Sequence, residues 1–164
     1  MQLDNKKVYL LLGSNLGDRR KLIDEAILEI GAQVGAVFQQ SSFYETAAWG
    51  REDQPGFLNV AIGVVTAFNP MEVLEKVLRI EQDLGRVRLE KWGSRLIDID
   101  LILFDDLIVD EGPVLQIPHP QMQHRKFVLE PLAELIPHYK HPLLQQTIQE
   151  LLESLDDNLA VSKI

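Results

Sequence analysis

Two aspartates interrupt an otherwise apolar stretch, Leu96-Ile97-Asp98-Ile99-Asp100-Leu101-Ile102-Leu103-Phe104. In an extended chain, side chains at i and i+2 point to the same face, with backbones roughly 6–7 Å apart. Asp98 and Asp100 are therefore expected side by side, with Ile97, Ile99, Leu101 and Leu103 on the opposite face. Two carboxylates amid so much apolar surface are costly to ionise. A divalent cation offsets that cost, and an oxygen-only donor set favours magnesium. The pattern is short, and a solvent-facing stripe near a sheet edge accounts for it as well.

Just before this pair the chain is cationic. Arg86, Arg88, Lys91 and Arg95 stand against Glu90 alone. The guanidinium fork matches phosphate oxygens, and metal plus arginines suits phosphoryl transfer, in which catalysis is mainly positioning and charge stabilisation. A solvated charged loop is the simpler alternative. His119 and Arg125, in the proline-stiffened stretch Pro118 to Phe127, add two more phosphate-competent donors. Glu81 breaks the apolar stripe Leu74, Val77, Leu78, Leu84 of a helix, so it either pairs with an arginine or meets a ligand hydroxyl. There is no G-x-x-x-x-G-K-[ST] and no G-x-G-x-x-G, so nucleotide binding would use neither a P-loop nor a Rossmann fingerprint. Gly13-Ser14-Asn15, read as a strand-to-helix turn, could offer backbone donors. Phe57, Phe127, Met71 and Met122 are by default packing residues.

The elements that position these residues follow from periodicity. Lys7 to Leu12 predicts a buried strand, and Asp18 predicts the cap of a helix with Leu22, Ile23, Ala26, Ile27 and Ile30 on one face. Gly31 and Gly35 punctuate the chain. Val37 to Tyr44 and Phe57 to Phe68 predict strands. Asn69-Pro70 opens a helix from about Met71 to Leu84, closed by Gly85. Leu107 to Val109 and Val114 to Ile117 predict a hairpin, Arg125 to Leu135 and Thr147 to Leu155 helices. The order strand, helix, strand, strand, helix, strand predicts an α+β fold, an α/β sandwich with a ferredoxin-like βαββαβ core, its helices on one sheet face, a small extra hairpin and C-terminal helices.

The 164 residues suit a single domain over 1–164. A net charge of −9 argues against nucleic-acid binding, since phosphate backbones need a basic face. No apolar run is long enough for a membrane span, no signal-peptide core is present, and there is no cysteine. These features predict a cytoplasmic protein with no membrane or nucleic-acid partner.

Together the segments Gly13-Ser14-Asn15, Ser42-Phe43-Tyr44-Glu45-Thr46, Asp53-Gln54-Pro55-Gly56-Phe57-Leu58-Asn59, Gly85-Arg86-Val87-Arg88, Trp92-Gly93-Ser94-Arg95-Leu96-Ile97-Asp98-Ile99-Asp100-Leu101 and Pro118-His119-Pro120, followed by Arg125, Phe127 and Leu129-Glu130-Pro131-Leu132, resemble the 6-hydroxymethyl-7,8-dihydropterin pyrophosphokinase family. The resemblance covers nearly the whole chain in order, and Trp92 to Asp100 is its most specific part. It implies a ferredoxin-like monomer that binds ATP with two magnesium ions, then the pterin, and transfers pyrophosphate with release of AMP. By the same resemblance Asp98 and Asp100 hold metal and, with Arg86 and Arg95, form the catalytic set. Glu81, Arg88, Trp92, Leu101, His119 and Arg125 bind ATP. Thr46, Ala47, Trp49, Phe57, Asn59 and Phe127 line the pterin pocket, the two phenylalanines sandwiching the ring. Departures from the pattern are Ala47-Ala48 for a proline-containing pair, Trp49 for a smaller apolar residue, Lys91 for arginine and Pro120 for tyrosine. A magnesium-dependent phosphohydrolase would share the acids and arginines but has no need of the pterin pocket.

Overall fold

The computed structural model describes residues 5–15, 17–46, 56–88, 97–156 and 160–164, with the backbone alone at 86–88. Strand β1 (Lys6–Ser14) lies inside the sheet because its apolar run is unbroken. Val8, Leu10 and Leu12 enter one core and Tyr9 and Leu11 the other. A continuous apolar run of this kind marks a strand buried on both faces. β4 (Phe57–Thr66) and β5 (Asp98–Phe104) flank it, both antiparallel. β2 (Ala36–Gln40) and β3 (Tyr44–Thr46) both pair with β4, and β8 (Val161–Lys163) pairs with β3. The sheet order is β5-β1-β4-β3-β8, with β2 beside β4. β6 (Val109–Glu111) and β7 (Leu115–Ile117) form the separate hairpin, turned at Gly112, where φ is 62°.

Helices α1 (Arg19–Gln33) and α2 (Pro70–Arg88) cover one face of the sheet, through Leu22, Ile23, Val73 and Val77. Helices α3 (Lys126–Leu135) and α4 (Ile148–Glu153) cover the other, through Leu129, Leu132, Ile148 and Leu151. The α+β expectation holds, but helices on one face alone is corrected to helices on both. The cause is in β1 and β4, whose two apolar faces each need cover.

Several boundaries also differ from expectation. Asp18 caps α1 by accepting from Lys21 N at 3.1 Å, as expected, but the helix runs past Gly31. Asn69 and Glu72 form a reciprocal cap at the start of α2, both bonds 2.9 Å. α2 then continues through Gly85 to Arg88. An interior glycine costs only about 1 kcal/mol relative to alanine, and no breaker follows it before Arg88. Arg86 and Arg88 thus belong to a helix end rather than to a loop. The strand expected over Val37 to Tyr44 breaks at Ser41, which still donates its N–H to Ala61 O at 2.9 Å but takes the Ala61 N–H on its hydroxyl, also at 2.9 Å.

In β5, Tyr9 faces Leu103 while Leu10 faces Leu101, a bulge that leaves Ile102 without a register partner. Ile97, Ile99 and Leu101 enter the first core as expected, but Leu103 is thrown, with Ile102, into the second. The bulge therefore corrects the placement of Leu103 without disturbing the two aspartates.

Strand β8 was not anticipated, since Val-Ser-Lys carries no periodic signal. It is tied in through Glu134 of α3. The Glu134 carboxylate accepts from Tyr44 OH at 2.6 Å and from Ser42 N at 3.0 Å, and it pairs with Lys163 at 3.8 Å. Burial alone raises the Glu134 carboxyl, but the hydrogen bonds from Tyr44 and Ser42 and the charge of Lys163 outweigh it and hold the group below its ordinary value. A carboxylate lowered in the folded state stabilises above its unfolded value of 4.5, and that contribution is lost as pH falls through the folded value. Tyr44→Phe is expected to cost about 1.5–3 kcal/mol at pH 7, as for hydrogen bonds to charged groups. Urea denaturation at pH 7 and below 4.5 checks this: the cost should shrink in acid, and an undiminished cost contradicts the assignment.

Candidate active site

Antiparallel pairing aligns one row of residues across four strands: Asp98 on β5, Gly13 on β1, Asn59 on β4 and Tyr44 on β3. Directly paired residues share a face, and so do residues two apart along a strand. Asp98, Asp100, Asn59, Phe57 and Thr46 therefore all lie on one face of the sheet. It is the face that α3 and α4 cover further along, at Leu11 and Ala61. Phe127, in the first turn of α3, packs against that same core. Residues separated by up to 114 positions in sequence, Gly13 and Phe127, thus meet on one surface.

The floor of this surface is polar, and two of its groups find no partner among the described residues. Thr46 and Asn59 are 4% and 3% exposed, yet Thr46 Oγ1 and Asn59 Nδ2 make no hydrogen bond among the described residues. Leaving a buried polar group unpaired costs about 1–3 kcal/mol. Thr46 is directly opposite Phe57, and Asn59 lies two residues along β4, so the two groups are diagonal neighbours. A flat ligand carrying both donors and acceptors satisfies them together. Phe57, at 40% exposure, is not a core residue and presents its ring beside them.

Gly13 makes room for this floor. A Cβ there would lie 2.6 Å from Asn59 Oδ1, so the amide rests directly over the glycine. Gly13 and Ser14 are the last residues of β1, and Ser14 is buried, which corrects their reading as a turn of backbone donors. The positive-φ turn falls instead at Gly17. Arg19 was missed in the sequence: its Nη1 contacts Gly56 O and Glu45 Oε2, both at 2.7 Å, tying β3 to the start of β4 beside Thr46 and Phe57. No periodicity marks such a residue, because its partners are distant in sequence.

At the other end of the row, Asp98 and Asp100 are half-buried on β5, the last strand of the sheet. Asp98 Oδ1 is buried and receives no hydrogen bond from the described residues, although Asp98 is engaged with its surroundings. The donor set fits a magnesium ion, which characteristically takes one or two protein carboxylates and completes its octahedron with water and substrate phosphate. Glu81 accepts from Ile99 N at 2.6 Å. It lines an open cavity of about 310 Å³ with Leu74 and Leu78 of α2, Asp100 and Leu101 of β5, Val114 and Leu115 of the hairpin, and His119. Leu74, Leu78, Val114 and Leu115 were not anticipated as site residues. Each belongs to a helix stripe or to the hairpin, and only the placement of α2 and the hairpin against β5 turns them toward one cavity.

His119 follows the cis Ile117–Pro118 bond, and its backbone N–H donates to Ile102 O at 2.9 Å. Its Nδ1 accepts from Gln121 N at 3.1 Å, so the neutral ring carries its proton on Nε2. Burial pushes the imidazole below its ordinary value, Asp100 opposes this, and Arg125 adds to it. His119 is therefore a neutral donor at pH 7. An NMR titration is expected to show its midpoint below 6.5, moving up in Arg125→Ala and further down in Asp100→Asn. A midpoint unmoved by both substitutions contradicts the convergence of these three residues. The Arg125 guanidinium lies 5.8 Å from the Phe127 ring centroid, within cation–π range, which links the phosphate-competent residues to the aromatic ones.

Of the other expected site residues, Arg86 and Arg88 lie in the last turn of α2, where only the backbone is described. Ala47, Trp49, Lys91, Trp92 and Arg95 lie outside the described residues.

Residues 9–137 match the model of the family described as 7,8-dihydro-6-hydroxymethylpterin-pyrophosphokinase (HPPK). The chain belongs to the HPPK family. It is 41% identical over 146 residues to the 2-amino-4-hydroxy-6-hydroxymethyldihydropteridine pyrophosphokinase of Synechocystis sp., covering 88% of this chain and 74% of that one. It is 42% identical over 132 residues to the enzyme of the same name from Bacillus subtilis, covering 80% and 78%. The crystal structure of wild-type HPPK-DHPS of Plasmodium falciparum with pteroate superposes with a TM-score of 0.72 at 20% identity, over 93% of this chain and 43% of that one. That likeness concerns the fold, and this chain spans under half of the fused protein. The HPPK match ends before α4 and β8, so the strand that closes the sheet beside Thr46 lies beyond it.

Proposed function

We propose that this protein transfers the pyrophosphoryl group of ATP to 6-hydroxymethyl-7,8-dihydropterin, giving the pterin diphosphate and AMP, a step of folate biosynthesis. The observation that carries the reading is the shared sheet face, where Thr46 Oγ1 and Asn59 Nδ2, without partners among the described residues, lie in register with the Asp98 and Asp100 strand. Membership of the HPPK family supports it. The pterin ring lies over Thr46 and Asn59, between Phe57 and Phe127. Thr46 Oγ1 and Asn59 Nδ2 complete their hydrogen bonding on the heteroatoms of the ring. The adenine lies in the cavity between α2 and the hairpin, against Leu74, Leu101 and Leu115, and Glu81 faces the ribose side.

The hydroxymethyl oxygen attacks the β-phosphorus and gives up its proton to water, the bond to the bridging oxygen of the α-phosphate breaks, and AMP departs. His119 Nε2–H and Arg125 donate to phosphate oxygens, and Arg86, Arg88 and Arg95 add the charge that the departing phosphates require. Asp98 and Asp100 hold magnesium, two ions in this reading, which neutralises phosphate charge when bound. We read the core as ferredoxin-like, supported by β5-β1-β4 with β2 on β4, all antiparallel. We also read the chain as one domain acting as a cytoplasmic monomer. Among the described residues no helix is long and apolar enough to cross a membrane.

The test is nucleotide analysis after mixing protein, ATP, Mg2+ and 6-hydroxymethyl-7,8-dihydropterin. AMP formed only with pterin supports the reading. ADP and phosphate, formed with or without pterin, would point to a phosphohydrolase and overturn it.

A further inference from the structure

Glu81 is a carboxylate at a core-facing angle of α2, and one of the groups it meets is a backbone amide, that of Ile99. β5 ends the sheet, so only β1 supports it through a ladder, and the bulge at Ile102 interrupts even that ladder. Among the described residues, two hydrogen bonds hold its outer edge. Glu81 Oε2 accepts Ile99 N–H at 2.6 Å, and Ile102 O accepts His119 N–H at 2.9 Å. Asp100 lies between these two points, and Asp98 is bonded directly to Ile99. The Ile99 side chain is itself buried at 4% exposure, so the segment is gripped from the core and from its edge at one residue.

We propose that Glu81 is a positioning residue for the aspartate pair: by holding the Ile99 amide it sets the direction and spacing in which Asp98 and Asp100 present their carboxylates to a divalent cation. The proposal rests on the metal-dependent reading above. An anchored N–H fixes the peptide plane joining Asp98 to Ile99, and with it the torsions from which both carboxylates project. An edge strand offers its outward N–H to water or to another strand; here a charged acceptor takes that place, giving a short, charge-assisted bond. Partners that orient metal-binding groups typically change metal affinity by about 10–100-fold when removed.

The test compares Glu81→Ala with Glu81→Gln, which keeps an oxygen acceptor of equal reach. Mn2+ binding is measured by calorimetry in the presence of a non-hydrolysable ATP analogue, and the Ile99 amide is followed by hydrogen exchange. Glu81→Ala is expected to weaken Mn2+ binding about 10-fold or more and to speed Ile99 exchange, and Glu81→Gln to recover most of both. Should Glu81→Ala fail to fold, Glu81→Asp, one methylene too short to hold Ile99, is expected to show the same loss with the charge retained. Unchanged Mn2+ binding and exchange in Glu81→Ala overturns the proposal. So does Glu81→Gln as impaired as Glu81→Ala, which assigns the effect to charge, or a loss confined to metal-free nucleotide affinity, which assigns it to the ribose. These readouts do not depend on turnover, so a wild-type protein that makes no AMP fails the functional reading alone.

Discussion

Asp100→Ala is expected to lower turnover by about three orders of magnitude or more while leaving the fold intact. Asp100 lies on the end strand between the two points that grip its edge, with one side on the α2 cavity and its charge felt by His119. In the proposed site, removing it takes away one of two carboxylates that would confine the cation, so the phosphate charge that develops in transfer would be less well met. Metal ions supply several kcal/mol of such stabilisation, and each 1.36 kcal/mol is tenfold in rate. The strand survives, because its core contacts come from Ile97, Ile99, Leu101 and Phe104. Asp100→Asn, which preserves shape and removes charge, should be nearly as impaired. The check is kcat at saturating Mg2+ with circular dichroism alongside. Near-normal rates would remove Asp100 from the metal site.

Gly13→Ala is expected to damage the pterin side more than the nucleotide side. The added Cβ would meet Asn59 Oδ1 at 2.6 Å, well inside any real contact. Asn59 is 3% exposed, and its strand is paired on both sides, so the amide cannot swing clear without leaving its place over the sheet. Overpacking of this kind costs about 1–3 kcal/mol of stability. In kinetics, displacement of an orienting group should raise the KM for pterin by about 10-fold or more, since 1.4 kcal/mol is tenfold in binding. The KM for ATP should change little, because the cavity proposed for adenine is lined by α2, β5, the hairpin and the 119–120 segment, with no residue of β1. An equal rise in both constants would mean that the substitution acts through general destabilisation.

The placement of the two aspartates on one face was legible in the residues. The i, i+2 spacing of Asp98 and Asp100 depends only on local strand geometry, which is why their shared face survived the bulge that displaced Leu103. Caps at Asp18 and Asn69 were legible for the same reason, since each partner lies three residues away. The misreadings were those in which a local signal met a distant partner. Gly85 has helix-breaking character, but nothing after it ends α2 before Arg88. Ser41 breaks a strand that its own sequence would continue, because Ala61 offers a bond to its hydroxyl. The two apolar faces of β1 were visible in Val8 to Leu12, and they, more than element order, required helices on both sides of the sheet.

By itself the sequence determined the family, the aspartate pair and the α+β element order, because these reside in residue type and short-range spacing. Only the tertiary structure decided that Glu81 grips the Ile99 amide, that Gly13 is absent of side chain for the sake of Asn59, and that Glu134 ties β8 to the strand carrying Thr46. Those relations join residues between 18 and 119 positions apart. Such contacts form only when sheet register and helix packing are complete, so no local pattern in the chain encodes them.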